Sequence, residues 1–192
     1  MEETLIDLLK DLGLEGIEYS QSAALLVQGE SKYVRDLRMN VKAVLEVETL
    51  SKKETSLLAY SIAVNNNNKL LQKAFEAKAK ANEATVEEIA EAAAIASLLS
   101  ANNVFYRFRH FVDKESYNTM RAGLRMNIMA RPILGKEFFE LASLAVSAVN
   151  GCEMCVKSHE VSVLEAGSSE ARIWDAVRLA AIITSLGKII HD

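Results

Sequence analysis

Apolar residues recur along this chain at the three-and-four spacing of a helix face, and the two-residue alternation of a half-buried strand is nearly absent. Leu5, Ile6, Leu8, Leu9 and Leu12 fall on one side with Gly13 after them, so residues 1–16 are expected to form a short amphipathic helix. Two more helices are expected from Tyr19 to Gly29 and from Lys32 to Val47, parted by Gly29. Beyond them the pattern repeats itself. Lys53-Glu54 and an apolar helix ending Ala63-Val64-Asn65 recur as Lys136-Glu137 with a helix ending Ala148-Val149-Asn150. At an offset of about 85 residues, Lys69 to Ala81 matches Met154 to Ala166, and Asn82 falls where Gly167 lies. The capping box Thr85-Val86-Glu87-Glu88 matches a helix start near Ser168 or Ser169. Ala90 to Ile95 then runs parallel to Trp174 to Leu179, one residue out of step. Asn65 to Asn68 reads as a loop and helix cap, and Asn118 to Pro132 as a helix followed by a turn. The expectation is an all-α fold: a single domain over 1–192 with a duplicated helical unit at 51–110 and 134–192.

Composition agrees and narrows the function. One proline and eight glycines in 192 residues leave little to interrupt helices. Half the residues are hydrophobic, a quarter are charged, and the net charge is −4, the balance of a globular chain. No apolar run approaches the roughly 20 residues that span a bilayer, so no membrane association is expected. Weak acidity argues against a nucleic-acid partner, which requires a concentrated basic face. Two small basic clusters, Arg107/Arg109/His110 and Arg121/Arg125/Arg131, read as solvated or salt-bridged surface. The acidic start Met1-Glu2-Glu3 lacks the basic opening of a secretory signal, which points to the cytoplasm.

Only two cysteines occur, three residues apart. A disulfide scaffold spreads its cysteines through the chain, whereas a lone adjacent pair in a helical chain reads as chemistry. Asn150-Gly151 is a turn signal, and a new helix is expected from about Cys152 to Ala166, stopped by Gly167. Cys152 in its first turn would lie near free N–H groups and the positive end of the macrodipole, which lower a thiol pKa from about 8.5. Positions i and i+3 have Cα atoms roughly 5 Å apart, within disulfide range. His159 is i+4 from Cys155 and i+7 from Cys152, so the three side chains share a stripe and the imidazole leans toward Cys155. Glu140 on the preceding helix could orient that imidazole, although spacing alone does not place it there. The dipole makes Cys152 the more acidic and exposed thiol, whereas the histidine favours Cys155. Against the redox reading stand two cysteines buried as small hydrophobes, a helix-surface glutamate and a core histidine. Structural zinc would need a fourth ligand, and His110 and His191 are distant in sequence, so no metal is assigned.

Duplication sharpens this picture. At the offset of 85, Cys152, Cys155, His159 and Glu140 correspond to Asn67, Leu70, Ala74 and Thr55. The first copy thus lacks every reactive group, and only the C-terminal copy is expected to carry the site.

Leu124-Arg125-Met126-Asn127, Phe139-Glu140-Leu141, Ala145 to Cys152 and Cys155 to Glu160 strongly resemble the alkyl hydroperoxidase D (AhpD) family of carboxymuconolactone-decarboxylase-like proteins. Glu140, Cys152, Cys155 and His159 meet its pattern E-x11-C-x2-C-x3-H. The resemblance implies a thiol-dependent antioxidant peroxidase that reduces alkyl hydroperoxides and passes electrons from dihydrolipoamide, on a lipoyl-bearing protein, to an AhpC-type peroxiredoxin. It implies that Cys155 forms the sulfenic acid and that Cys152 is proton donor, resolving thiol and the partner's mixed-disulfide site. Glu140 and His159 would form the proton relay, no bound cofactor would be needed, and the chain would form a homotrimer. Several members have a histidine where this chain has Met154, which leaves the relay to His159 and Glu140. Three other readings remain: a disulfide reductase with little peroxidase activity, a carboxymuconolactone-decarboxylase-type enzyme without thiol chemistry, and a redox sensor.

Overall fold

Most starts of the longer helices in the computed structural model, which describes residues 1–191, can be traced to a capping side chain. Among those residues all regular structure is helical: α1 (Glu2–Leu12), α2 (Gln21–Gln28), α3 (Tyr33–Leu45), α4 (Lys52–Asn65), α5 (Lys69–Ala81), α6 (Val86–Val112), α7 (Glu115–Thr119), α8 (Lys136–Val149), α9 (Glu153–Glu165) and α10 (Glu170–Leu186). Ser51 and Thr85 open α4 and α6 with full capping boxes, through Glu54 and Glu88. Ser20, Asn68 and Ser169 cap α2, α5 and α10 with side-chain acceptors.

The first helix is shorter than its apolar pattern suggests. Gly13 takes a left-handed conformation at φ 73° and closes α1 after Leu12. Leu5, Leu8, Leu9 and Leu12 are buried, whereas Ile6 is turned to solvent and does not join them. The helix expected over Asn118 to Pro132 does not form. That stretch holds the end of the one-turn α7 and a 3₁₀ turn at Asn127–Ala130. Residues 111–121 are exposed throughout, so no apolar face is covered there to stabilise a helix. The segment is tied down at its far end, where the buried Glu91 carboxylate accepts hydrogen bonds from the N–H groups of Ile133 (2.9 Å) and Leu134 (2.6 Å).

Two copies of a three-helix unit, α4–α6 and α8–α10, form the core, as the internal repeat predicts. α4 packs against α5, α6, α8 and α10, while α8 packs against α6, α9 and α10, so the first helices of both copies are enclosed by the third helices of both. Accordingly α4 and α8 bury nearly all their middle residues, including Leu57, Leu58, Ile62, Phe139, Leu141 and Val146. α3 lies on α10, and α1 lies on α3.

The structural register between copies is 84 residues, one fewer than the offset that matches α5 to α9 in sequence. Asn67 and Gly151 share a positive φ (53° and 69°), and Asn68 and Cys152 are the corresponding caps, with φ −96° and −97°. An ion pair repeats with its charges exchanged: Lys53–Glu88 in the first copy is Glu137–Arg172 in the second. The first-copy partners of Cys152, Cys155, His159 and Glu140 are therefore Asn68, Leu71, Phe75 and Ser56, and the first copy still has no reactive group.

Candidate redox site

α8 ends at Asn150, whose N–H reaches back to Val146 O, and Gly151 then reverses the chain at φ 69°. This conformation is unfavourable for a side chain bearing Cβ. Cys152 follows as the N-cap of α9, one position before the expected first turn, with its N–H bonded to Ser147 O at 3.1 Å. A disulfide joins Cys152 to Cys155 across a Cα separation of 5.3 Å.

The two sulfurs occupy different environments, opposite to the expectation from the helix dipole. Cys152 is 0% exposed, sealed beneath the α8–α9 turn. Cys155 is 7% exposed and opens into a cavity of about 330 Å³. Because the tight turn folds α9 back onto α8, the N-cap side chain faces the interior and the residue one turn later faces outward. Leu99, Met126, Met129 and Met154 supply apolar walls, while Asn102, Tyr106, Ser158 and His159 supply polar atoms.

His159 and Glu140 meet in the interior, 7% and 2% exposed. Nδ1 of the imidazole lies 2.6 Å from Oε2 of the carboxylate. A carboxylate accepts, so Nδ1 carries the proton and donates it, and Nε2 is left with its lone pair when the ring is neutral. Lys136, one turn before Glu140 on α8, pairs with the other carboxylate oxygen. Burial by itself raises the Glu140 pKa, but hydrogen bonds and positive charge from His159 and Lys136 outweigh that and hold the carboxyl below its ordinary value. The site therefore contains a carboxylate held ionised at neutral pH, an oriented imidazole one turn from a sulfur, and a second sulfur able to bridge to the first.

Several supporting residues lie outside the sequence pattern and come from the first copy. On α6, Asn103 donates to Ser147 Oγ (2.9 Å) and accepts from Asn150 (2.9 Å), and Asn65 of α4 exchanges two side-chain hydrogen bonds with Asn150 (2.9 and 3.1 Å). Arg107 donates to the Asn150 carbonyl at 2.6 Å. Together they fix the turn that presents Cys152. Arg107 is thus not merely the solvated surface expected of its cluster. Arg109 donates to the Asn118 carbonyl and lies 5.9 Å from the ring centres of Phe105 and Tyr106. His110 Nε2 sits 3.5 Å from Glu153, beside the first turn of α9, and His191 lines a separate cavity with Ile17 and Tyr19. Among the described residues no group of three or more His, Cys, Asp or Glu is placed to hold a metal ion, and no helix is long and apolar enough to cross a membrane.

A model of the carboxymuconolactone decarboxylase family matches the chain twice, over residues 31–113 and 116–190. The alkyl hydroperoxide reductase AhpD of Anaeromyxobacter dehalogenans (strain 2CP-C) is 44% identical over 151 residues, 78% of this chain and 80% of that protein. The protein of the same name from Rhodopseudomonas palustris (strain BisB18) is 44% identical over 159 residues, 83% and 87% of the two chains. A third, from Streptomyces coelicolor, is 37% identical over 155 residues, covering 81% and 86%.

Proposed function

The chain belongs to the carboxymuconolactone decarboxylase family, and from that premise we propose that it is a peroxide-reducing oxidoreductase, an alkyl hydroperoxide reductase working through Cys152 and Cys155. The observation that carries this reading is the arrangement of unequal sulfurs: one opens to an apolar cavity beside a carboxylate-held imidazole, and the other is sealed behind it.

In the dithiol form, Nε2 of His159 takes the Cys155 proton, and the resulting imidazolium is stabilised by Glu140. The thiolate attacks the terminal oxygen of R–O–OH. An S–O bond forms, the O–O bond breaks, and the alkoxide leaves with a proton as ROH. Cys155 is now a sulfenic acid. The Cys152 thiol attacks that sulfur, water leaves, and the bridge seen here is formed. A dithiol such as dihydrolipoamide, on a lipoyl-bearing protein, reopens it by exchange. Onward transfer to an AhpC-type peroxiredoxin runs through a mixed disulfide at Cys152. Because Cys152 is wholly buried in the bridged form, this step requires the first turn of α9 to open once the bridge is reduced. The cytoplasm suits a centre that must be kept reduced between turnovers. The exposed apolar side chains Val104, Phe108, Phe111 and Val112 on the outer end of α6 offer a surface for self-association, and the homotrimer is what the family resemblance implies.

Among the other readings, a carboxymuconolactone-decarboxylase-type reaction leaves the bridge without a role, and a disulfide reductase or sensor leaves the apolar cavity without one. The test is consumption of cumene hydroperoxide by the protein with dihydrolipoamide and no peroxiredoxin. Multiple turnovers are expected for the wild type, with turnover abolished in Cys155→Ser. A wild-type protein that consumes a single equivalent and stops would sink the peroxidase reading.

A further inference from the structure

The reaction sequence above assigns no group to the departing oxygen, yet one buried amide in the cavity is poorly occupied. Asn102, on α6, is 6% exposed and lines the same cavity as Cys155 and His159. Its Nδ2 donates to Met126 Sδ at 3.1 Å. A thioether is a weak acceptor, so a buried amide spends its donor on a partner that returns little. The neighbouring Asn103 is different: its amide N–H donates to the Ser147 hydroxyl oxygen and its carbonyl oxygen accepts from the Asn150 amide. Tyr106 lies one turn from Asn102 on the same cavity wall. The other walls are largely aliphatic or thioether, where a hydrogen bond to developing charge counts for more than in water.

We propose that Asn102 is the donor for the hydroperoxide in this site, binding the R–O oxygen and stabilising it as it becomes an alkoxide, with Met126 holding the amide in place until substrate arrives. The inference rests on the peroxidase reading above. As the S–O bond forms at Cys155, the electron pair of the breaking O–O bond moves onto the R–O oxygen. The Asn102 N–H meets that charge, and the proton released from the relay converts it to ROH. Sulfur is oxidised and the peroxide reduced, with no other reactant. The donor costs little reorganisation because its position is set by α6 before substrate enters. Water-sized hydrogen peroxide can be met by His159 alone, whereas a larger hydroperoxide fills the apolar walls and brings its inner oxygen to α6. The residue therefore favours alkyl substrates over hydrogen peroxide.

The test follows oxidation of the prereduced protein by cumene hydroperoxide in stopped flow, with methyl methanethiosulfonate as a small thiol reagent that carries no peroxide. Asn102→Ala is expected to slow the peroxide reaction by about 100-fold and to leave the reaction of the Cys155 thiol with the thiosulfonate at the wild-type rate. Asn102→Leu is close to the side chain in shape and adds no charge but has no N–H, and is expected to lose at least as much. It supplies the same answer if Asn102→Ala does not fold. Met126→Leu removes the competing acceptor and is expected to raise the peroxide rate about twofold. Equal slowing of both reagents in the Asn102 variants would show that Asn102 only shapes the thiol's surroundings, and a Met126→Leu loss as large as that of Asn102→Ala would show that the amide merely anchors the Met126 segment. Either result overturns the inference. Wild-type protein that reacts with the thiosulfonate but not with the hydroperoxide overturns the peroxidase reading itself, and this inference with it.

Discussion

Glu140 carries a negative charge in a place almost without water, and the reason it stays ionised also decides how it behaves with pH. Two donors, His159 and Lys136, occupy its two oxygens and hold the carboxyl below its ordinary value despite burial. A carboxyl lowered on folding contributes stability that is fully present above its unfolded pKa, about 4.3, and is lost as pH falls through the folded value. Glu140→Gln has no such contribution. The difference in melting temperature between wild type and Glu140→Gln should therefore be largest at neutral pH and shrink as pH drops below about 4. Melting curves at half-unit pH steps check this, and an offset constant across the acid range would contradict it. At neutral pH the same variant should also slow Cys155 oxidation by hydroperoxide, because a neutral amide stabilises the imidazolium less than a carboxylate does.

At the scale of the element, the α8–α9 turn decides where both sulfurs point. Gly151 sits at φ 69° with open space around the position a Cβ would take, so a substitution there meets backbone strain and no clash. The first copy uses Asn67 in the same role at φ 53°. Asparagine tolerates this region several-fold better than other L residues, and β-branched residues tolerate it worst. Gly151→Asn is thus expected to unfold within a few degrees of the wild type, whereas Gly151→Val should lose about 2 kcal/mol in urea denaturation. Equal stability of the two variants would refute this account of the turn. The turn and the sulfur stripe were readable in the sequence because both are local: Asn150-Gly151 ends one helix, and Cys152, Cys155 and His159 follow at helical spacing. Asn65, Asn102, Asn103 and Arg107 were not. They act through helices packed together from different parts of the chain, and residue spacing on α6 carries no sign of which helix it will lie against. Arg107 illustrates the difficulty, since an arginine near a helix end has the pattern of solvated surface whether or not a carbonyl lies within its reach.

For the whole molecule, duplication explains why one site forms and not two. The third helix of the first copy, α6, has 27 residues, whereas its counterpart α10 has 17. The added turns, which begin just after Asn102, carry Asn103, Tyr106 and Arg107 over the second copy's α8–α9 turn, so the first copy supplies walls to a site whose sulfurs belong to the second. Such a shared site depends on the copies being locked together. Arg172 on α10 is placed to do this: its guanidinium holds Glu137 of its own copy at 3.0 Å and Glu54 of the other at 2.6 Å, and it also donates to the Thr49 carbonyl. Burial by itself lowers the arginine's pKa, but the hydrogen bonds it donates to Glu137 and Glu54, with their charges, outweigh that and raise the value, so the cation is held at neutral pH. Its side chain is mostly covered, and removing it leaves two half-buried carboxylates facing each other. Arg172→Met is therefore expected to cost about 2 kcal/mol, between the values for exposed and fully buried pairs, read as a lower urea midpoint. Arg172→Lys should recover only part of this, because an ammonium lacks the planar fork that meets two carboxylates and a carbonyl at once. A double variant Glu54→Gln/Arg172→Met should be more stable than Arg172→Met alone, since it removes one of the stranded charges. If the double variant is instead the less stable, the contribution of Arg172 is packing rather than charge, and the two copies are locked by their apolar contacts alone.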